Sequence, residues 1–150
     1  MTNPFDFKAA LLARHAQHVV LIHFPIALFI AGVAFDFLAH STDQSKLAAA
    51  AYWNFLFATV TTVPVMITGL LAWQWQLEGQ RLKGILLLHL VFGCISSLLI
   101  AVVWLIHQRV QGKPGAALPG YRIALEVLGV VLLGFTGHLG GFLSGVNGPG

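Results

Sequence analysis

Four long apolar runs dominate the sequence and limit what the chain can fold into. The hydrocarbon core of a bilayer is roughly 30 Å thick, and a helix crosses it in about 20 apolar residues. Only 9% of the 150 residues are charged and 57% are hydrophobic, whereas about 25% of residues are charged in ordinary soluble domains. The sequence therefore predicts an integral membrane protein in a lipid bilayer, with helices at approximately residues 19–39, 48–75, 85–106 and 122–143.

Short connections separate the four runs, at about residues 40–47, 76–84 and 108–120. The last of them is rich in glycine and proline, which is typical of a loop. The first run, at about 21 residues, is too long for the core of a secretory signal, which spans about 7–15. Because short loops make consecutive helices antiparallel, we expect one domain over residues 1–150, an all-α, up-down-up-down bundle of four transmembrane helices.

The basic residues do not determine the orientation of this bundle in the membrane. Four Lys or Arg residues are expected on each side, so the positive-inside rule does not favour either orientation. A net charge of +3 spread over both faces also provides no focused patch for binding nucleic acid. The two sets are Lys8, Arg14, Arg81 and Lys83 on one side, and Lys46, Arg109, Lys113 and Arg122 on the other.

Histidines from three different helices are predicted to lie in one layer of the membrane. His23, His89 and His138 each lie about five residues inside a predicted helix, roughly 7 Å below the same interface. His18 and His15 lie above them, near the headgroups. Polar side chains at such depth are costly and usually face a bundle interior or a cofactor. Three separate hydrogen bonds between helices would also account for these histidines.

Neutral imidazole is a ligand for haem iron, copper and non-haem iron. No carboxylate is expected in the histidine layer, so a hydrolytic or oxygenase site would lack its usual partners. We therefore expect b-type haem, with His23 and His89 as the first axial pair. His138 is the next candidate, and His18 is a ligand or a partner of a propionate. A copper or iron ion bound by the same imidazoles is an alternative, as is a cofactor-free structural subunit.

Glycines and cations near the histidine layer fit this expectation. A porphyrin between helices needs small residues beside it and cations for its propionates. Close helix packing explains the glycines equally well. The glycines expected to face the macrocycle are Gly93, Gly134 and Gly141, and the cations are Arg14, Arg81 and Lys83.

Two acidic residues, Asp36 and Glu126, are set into predicted helices near the opposite face. We expect them to snorkel toward the interface or to pair with Arg109, Arg122 or Lys46; a proton relay is an alternative. His40 and His107 end the first and third helices on that face, so a second haem is conceivable there. Pro25 removes a backbone donor and leaves the carbonyl of Leu21 without its usual partner, which loosens the helix beside His23.

Several short segments resemble an uncharacterised family of bacterial four-helix membrane proteins, a domain of unknown function. They are His18-x4-His23-Phe24-Pro25-Ile26-Ala27, Thr68-Gly69 with Trp73, His89, and Gly140-Gly141. In that family the first histidine is commonly followed by proline, and the tryptophan is preceded by aspartate. Here these positions are Val19 and Ala72. Some relatives are joined to Rieske-type iron–sulfur domains, which implies electron transfer.

The sequence as a whole favours a membrane electron carrier over a stand-alone enzyme. We expect a multi-pass protein of the bacterial inner membrane, whose partners are quinone or other redox subunits of a respiratory or photosynthetic complex. A transporter is disfavoured because the interior offers too few ionisable groups for a substrate path.

Overall fold

The computed structural model describes residues 14–113 and 116–145. The helices are α1 (Arg14–Leu21), α2 (His23–Thr42), α3 (Ser45–Gln76), α4 (Gly84–Val110) and α5 (Arg122–Leu143). Within these described ranges there is no β-strand. Four segments are long and apolar enough to cross a membrane, namely Gln17–Thr42, Ser45–Trp75, Gly84–Val110 and Arg122–Leu143. The predicted class, an all-α bundle of four membrane-spanning helices, is confirmed.

The first span is interrupted at Ile22, which separates α1 from α2. Pro25 follows three residues later, and its ring nitrogen carries no hydrogen to donate to the carbonyl of Leu21. The backbone nitrogens of Ile22 and Ile26 still bond the carbonyls of His18 and Ile22, at 3.1 and 3.4 Å. The turn therefore interrupts the regular helix without reversing the chain, and α1 and α2 together form one candidate membrane span.

The helices pack as two close pairs joined by further contacts. α2 packs along α3, and α4 packs along α5, while α1 lies against α3. Contacts of α3 with α4 and of α2 with α5 close the bundle. Its central layer is apolar and consists of Phe29, Ala51, Phe55, Ala58, Ile100, Val103 and Leu133.

Two glycines let aromatic rings fill the space between neighbouring helices. A Cβ atom at Gly32 would lie 2.7 Å from Cε1 of Phe55, and one at Gly129 would lie 2.7 Å from Cε1 of Phe29. The two rings contact each other with centroids 5.5 Å apart. Because real Cβ contacts are almost never this short, both positions require glycine for the observed packing.

The outer surface of the bundle is largely apolar, as expected for helices surrounded by lipid. Leu98 is 67% exposed, and large hydrophobic side chains such as Val63, Val131 and Phe135 are also exposed on the other helices. Exposed apolar area of this extent is unusual for a soluble monomer. The membrane-spanning helices thus imply a lipid bilayer as the environment of this protein.

Candidate functional site

His18 of α1 and His89 of α4 face each other at one end of the bundle. Their ring centroids are 6.5 Å apart and the ring planes are nearly perpendicular, at 89°. Both side chains are half-buried. These two imidazoles, from helices distant in sequence, define the candidate site.

The hydrogen bond made by His89 determines which ring nitrogen carries the proton. Its Nδ1 lies 3.0 Å from the backbone carbonyl oxygen of Thr136 on α5. A carbonyl only accepts hydrogen bonds, so Nδ1 is the donor. In the neutral imidazole the lone pair is then on Nε2, the usual arrangement of a histidine that binds a metal.

His18 is held in the same tautomer by a side chain of α3. Its Nδ1 lies 3.3 Å from Oγ1 of Thr68. The single hydroxyl proton of Thr68 is shared with its own helix, at 2.9 Å from the carbonyl of Pro64 and 3.1 Å from that of Val65. The hydroxyl oxygen therefore accepts from Nδ1 of His18, and the lone pair of this imidazole is also on Nε2.

Two glycines lie against the edges of these imidazoles. A Cβ atom at Gly69 would lie 2.9 Å from Cε1 of His18, and one at Gly140 would lie 3.1 Å from Cε1 of His89. Side chains at these positions would push the rings away from their present places. The residues that carry the family resemblance thus converge on the site from four helices: His18 of α1, Thr68 and Gly69 of α3, His89 of α4 and Gly140 of α5.

Two adjoining cavities of about 120 and 250 Å³ surround the imidazole pair. Together they reach the size of small-molecule sites in proteins, which is about 300–1,000 Å³. The smaller cavity extends toward the bundle centre as far as Ile100 and Leu133. The larger one lies toward the end of α5. Both are lined by His18, Ile22, Gly69, Trp73, Leu86 and His89.

His23 and His138 occupy different positions from the facing pair. His23 lines the larger cavity but is exposed, and its Nδ1 donates to the carbonyl of Val19 at 2.8 Å. His138 is exposed and its ring contacts that of Phe142, with centroids 5.0 Å apart. The structure therefore brings His18, rather than His23, beside His89. His18 was expected above the layer of His89 but faces it instead, whereas His23 and His138 are both exposed.

Some of the other predicted site residues lie at the cavities, and others do not. Gly93 lines the smaller cavity and Gly141 the larger one, whereas Gly134 lies on the exposed face of α5 with nothing within 4 Å of a Cβ atom. The expected alignment of Gly134 with the site is therefore not observed. Arg81 and Lys83 are exposed in the loop that precedes α4, at the same end of the bundle. The side chain of Arg14, like that of His15 and all of Lys8, lies outside the described part of the chain.

A second polar group lies at the other end of the bundle. Nε of Arg122 donates to Oδ2 of Asp36 at 2.8 Å, which confirms the predicted pairing of that acid. Glu126 instead contacts His107, with Nε2 and Oε1 3.1 Å apart. All four side chains are buried, and Glu126 is 0% exposed. His40, the other histidine expected at this face, is exposed on α2.

The sequence does not predict the contacts of Thr68 and Thr136 with the imidazoles, nor the pairing of His107 with Glu126. Thr68 belongs to the segments that carry the family resemblance, but its contact with His18 has no signal in the sequence. Thr136 acts through its backbone carbonyl, which no side-chain pattern reveals. The available signal for His107 and Glu126 was a histidine three residues from the end of one apolar helix and an acid about one turn inside the next.

A comparison with protein-family models matches residues 14–148 of the chain to a family described as "Predicted membrane protein (DUF2231)". Searches of curated proteins and of solved structures gave no match. The matched range contains all the described helices and both polar groups. The chain therefore belongs to this family of predicted membrane proteins.

Proposed function

We propose that this protein binds one b-type haem at the imidazole pair and passes electrons through it. The proposed axial ligands are His18 and His89. His18 thus takes the place of His23 in the pair expected from the sequence. The haem would supply a one-electron couple, and the protein would supply its ligands, its orientation and an apolar surrounding. His23, at the rim of the larger cavity, is left as a neighbour of the site.

The observation that carries this proposal is the geometry of the two rings. Two imidazoles that bind one metal ion from opposite sides, at a metal–nitrogen distance of about 2 Å, have ring centroids roughly 6 Å apart. The observed separation is 6.5 Å. In addition, each Nδ1 is held by a hydrogen-bond acceptor, so the ligating nitrogen in each ring would be Nε2. Such outer partners fix ring orientation in known metal sites.

The surroundings favour haem over a single copper or iron ion. An isolated ion needs further polar ligands beside two imidazoles, and the two cavities expose mainly apolar surface from residues such as Ile22, Leu86 and Leu90. An apolar pocket suits a porphyrin. Arg81 and Lys83 lie at the same end of the bundle, where they are placed to pair with carboxylates at the membrane surface.

The site lies within one leaflet, which limits the proposed electron partners. His89 is five residues from the start of α4, or roughly 7.5 Å along the helix. A quinone in the bilayer or a redox domain docked at that face could exchange electrons with a haem at this depth. The proposed location is the inner membrane of a bacterium, where such partners occur in respiratory and photosynthetic complexes.

The test is the optical spectrum of the protein purified in mild detergent, recorded oxidised and dithionite-reduced. We expect the sharp α-band of a low-spin, bis-histidine haem, with one haem per chain by pyridine haemochrome assay. His18→Ala and His89→Ala should each abolish that band. His23→Ala and His138→Ala are matched controls, since they remove exposed imidazoles at the same end of the bundle, and should retain it.

Any other outcome of these measurements would lead to a different conclusion. A colourless protein that contains one copper or iron by elemental analysis would support the ion alternative and overturn the haem. A colourless protein without metal would favour a structural subunit. A band that survives in His18→Ala but disappears in His23→Ala would overturn the proposed pair while keeping the haem.

A further inference from the structure

The buried polar group at the opposite end of the bundle has donors suited to a metal ion. It brings together Asp36 of α2, His107 of α4 and Glu126 of α5, which are 1%, 3% and 0% exposed. One ligand atom from each residue lies within 4.8 Å of the others. His107 is 18 residues beyond His89 on α4, or roughly 27 Å, so this group is separate from the imidazole pair.

One oxygen of this group is buried with no partner in the described structure. Oε1 of Glu126 contacts Nε2 of His107, but Oε2 has no hydrogen-bond partner. Nε1 of Trp104, one turn before His107 on α4, is likewise buried and unpartnered. Leaving a buried polar atom unsatisfied costs about 1–3 kcal/mol, and more for a charged group. A fully buried carboxylate with an unpartnered oxygen is therefore well placed to bind a cation.

The charges of the group also call for a cation. Arg122 balances Asp36, with Nε and Oδ2 2.8 Å apart, so ionised Glu126 and neutral His107 leave one net negative charge. A proton could balance this charge. If that proton lay between Glu126 and His107, however, Oε2 of Glu126 would still have no partner. A metal ion can bind both oxygens of one carboxylate and also use Asp36. A divalent ion would change the net charge of the group from one negative to one positive, and the new metal–ligand bonds would offset the cost of that buried charge.

We propose that Asp36, His107 and Glu126 bind one divalent transition-metal ion, such as zinc, manganese or ferrous iron. One imidazole with two carboxylates is a nitrogen and oxygen donor set suited to these ions. Arg122 holds the Asp36 carboxylate from the outer side, as hydrogen-bond partners of metal ligands commonly do. Glu126 lies four residues inside α5, or roughly 6 Å from its start, so the ion has a short path from the interface.

Zinc binding tests the proposal directly. The probe is Zn²⁺, added by equilibrium dialysis to chelator-treated protein in detergent and counted by elemental analysis. The parent protein carries His89→Ala, so that the imidazole pair cannot contribute a second ion. We expect one zinc per chain, and X-ray absorption at the zinc edge should show one imidazole per metal. Glu126→Gln and His107→Gln should each weaken binding at least tenfold.

Exposed residues at the same end of α2 provide the matched controls. His40→Ala and Asp43→Asn remove an imidazole and a carboxylate from the surface and should leave zinc binding unchanged. Loss of zinc in these controls, or full binding in both Glu126→Gln and His107→Gln, would show adventitious surface binding and overturn the proposal. So would a protein that takes up no zinc and whose infrared band of a protonated carboxyl group disappears in Glu126→Gln. If one variant does not fold, the absorption spectrum of the parent still decides, because two or no imidazoles per zinc contradict the site.

Discussion

A methyl group added at Gly129 should test whether the aromatic layer sets the spacing of the helices. In Gly129→Ala the new Cβ would lie 2.7 Å from both Cε1 and Cζ of Phe29. Carbon atoms prefer separations of about 3.5–4.0 Å, so the ring would have to move by nearly an ångström. Phe29 is 0% exposed and packs on Phe55, which itself lies against Gly32. The ring therefore has no free space to move into.

The expected magnitude follows from two opposing effects. Overpacking of a filled core costs about 1–3 kcal/mol, while alanine in a helix interior gains about 0.5–1 kcal/mol over glycine. We expect Gly129→Ala to lower the free energy of unfolding by about 1–2 kcal/mol. Gly134→Ala is the matched control five residues later on α5, where nothing lies within 4 Å of the new atom. It should raise the free energy of unfolding by about 0.5–1 kcal/mol.

The assay is unfolding in mixed micelles with increasing SDS, followed by far-ultraviolet circular dichroism. The two variants should move the midpoint in opposite directions. Equal midpoints for both variants, or a more stable Gly129→Ala, would refute the argument, because the contact between Gly129 and the Phe29 ring would then not limit how closely α2 and α5 approach.

Three further predictions concern the two polar groups. Gly140→Ala places a methyl group 3.1 Å from Cε1 of His89 and should weaken haem retention, measured as haem per chain after gel filtration. Thr68→Val removes the acceptor of an imidazole proton and should weaken cofactor affinity about 10–100-fold, whereas Thr68→Ser should retain it; equal affinities would contradict the assigned tautomer. Arg122→Gln leaves Asp36 buried without its counter-charge and should cost about 3–5 kcal/mol of unfolding free energy, while the double replacement of both residues by leucine should cost less.

The apolar runs predicted the helices because length and hydropathy are properties of each run alone. A bilayer requires about 20 apolar residues per span, and every span satisfies that requirement within its own sequence. The end of the bundle at which these histidines lie was predictable for the same reason, but their exact depth was not, because His18 lies beside His89 rather than above it. His18, His23, His89 and His138 accordingly lie at one end of the bundle.

The direction in which each imidazole points was not predictable from a count of residues. His18 and His23 differ by about 140° around an ideal helix, and only packing decides which of them faces inward. α1 packs against α3, where Thr68 and Gly69 receive the ring of His18. His23 follows the turn at Ile22 and bonds the carbonyl of Val19 in α1 instead. Contacts between helices therefore determine the site, and these depend on the whole bundle.

The acidic residues show the same division. Asp36 was expected to pair with a basic residue, and Arg122 is that partner. The same basic residues are the expected partners of Glu126, but its contact is with His107. The position of His107 at the end of a helix suggests a cofactor ligand, although buried Glu and His side chains can also satisfy each other.

The apolar central layer also has an electrical consequence. Residues 90–106 of α4 contain no charged residue or histidine, so this stretch offers no acidic or basic side chain through which a proton could pass between the two polar ends. An electron that reached the proposed haem at the imidazole pair would then return to the same side of the membrane. Moving one charge across the whole membrane is worth about 2.3 kcal/mol per 100 mV, and electron transfer confined to this end would neither use nor store that energy. Donor and acceptor would then compete for one face of the protein, and the membrane voltage would have little influence on either.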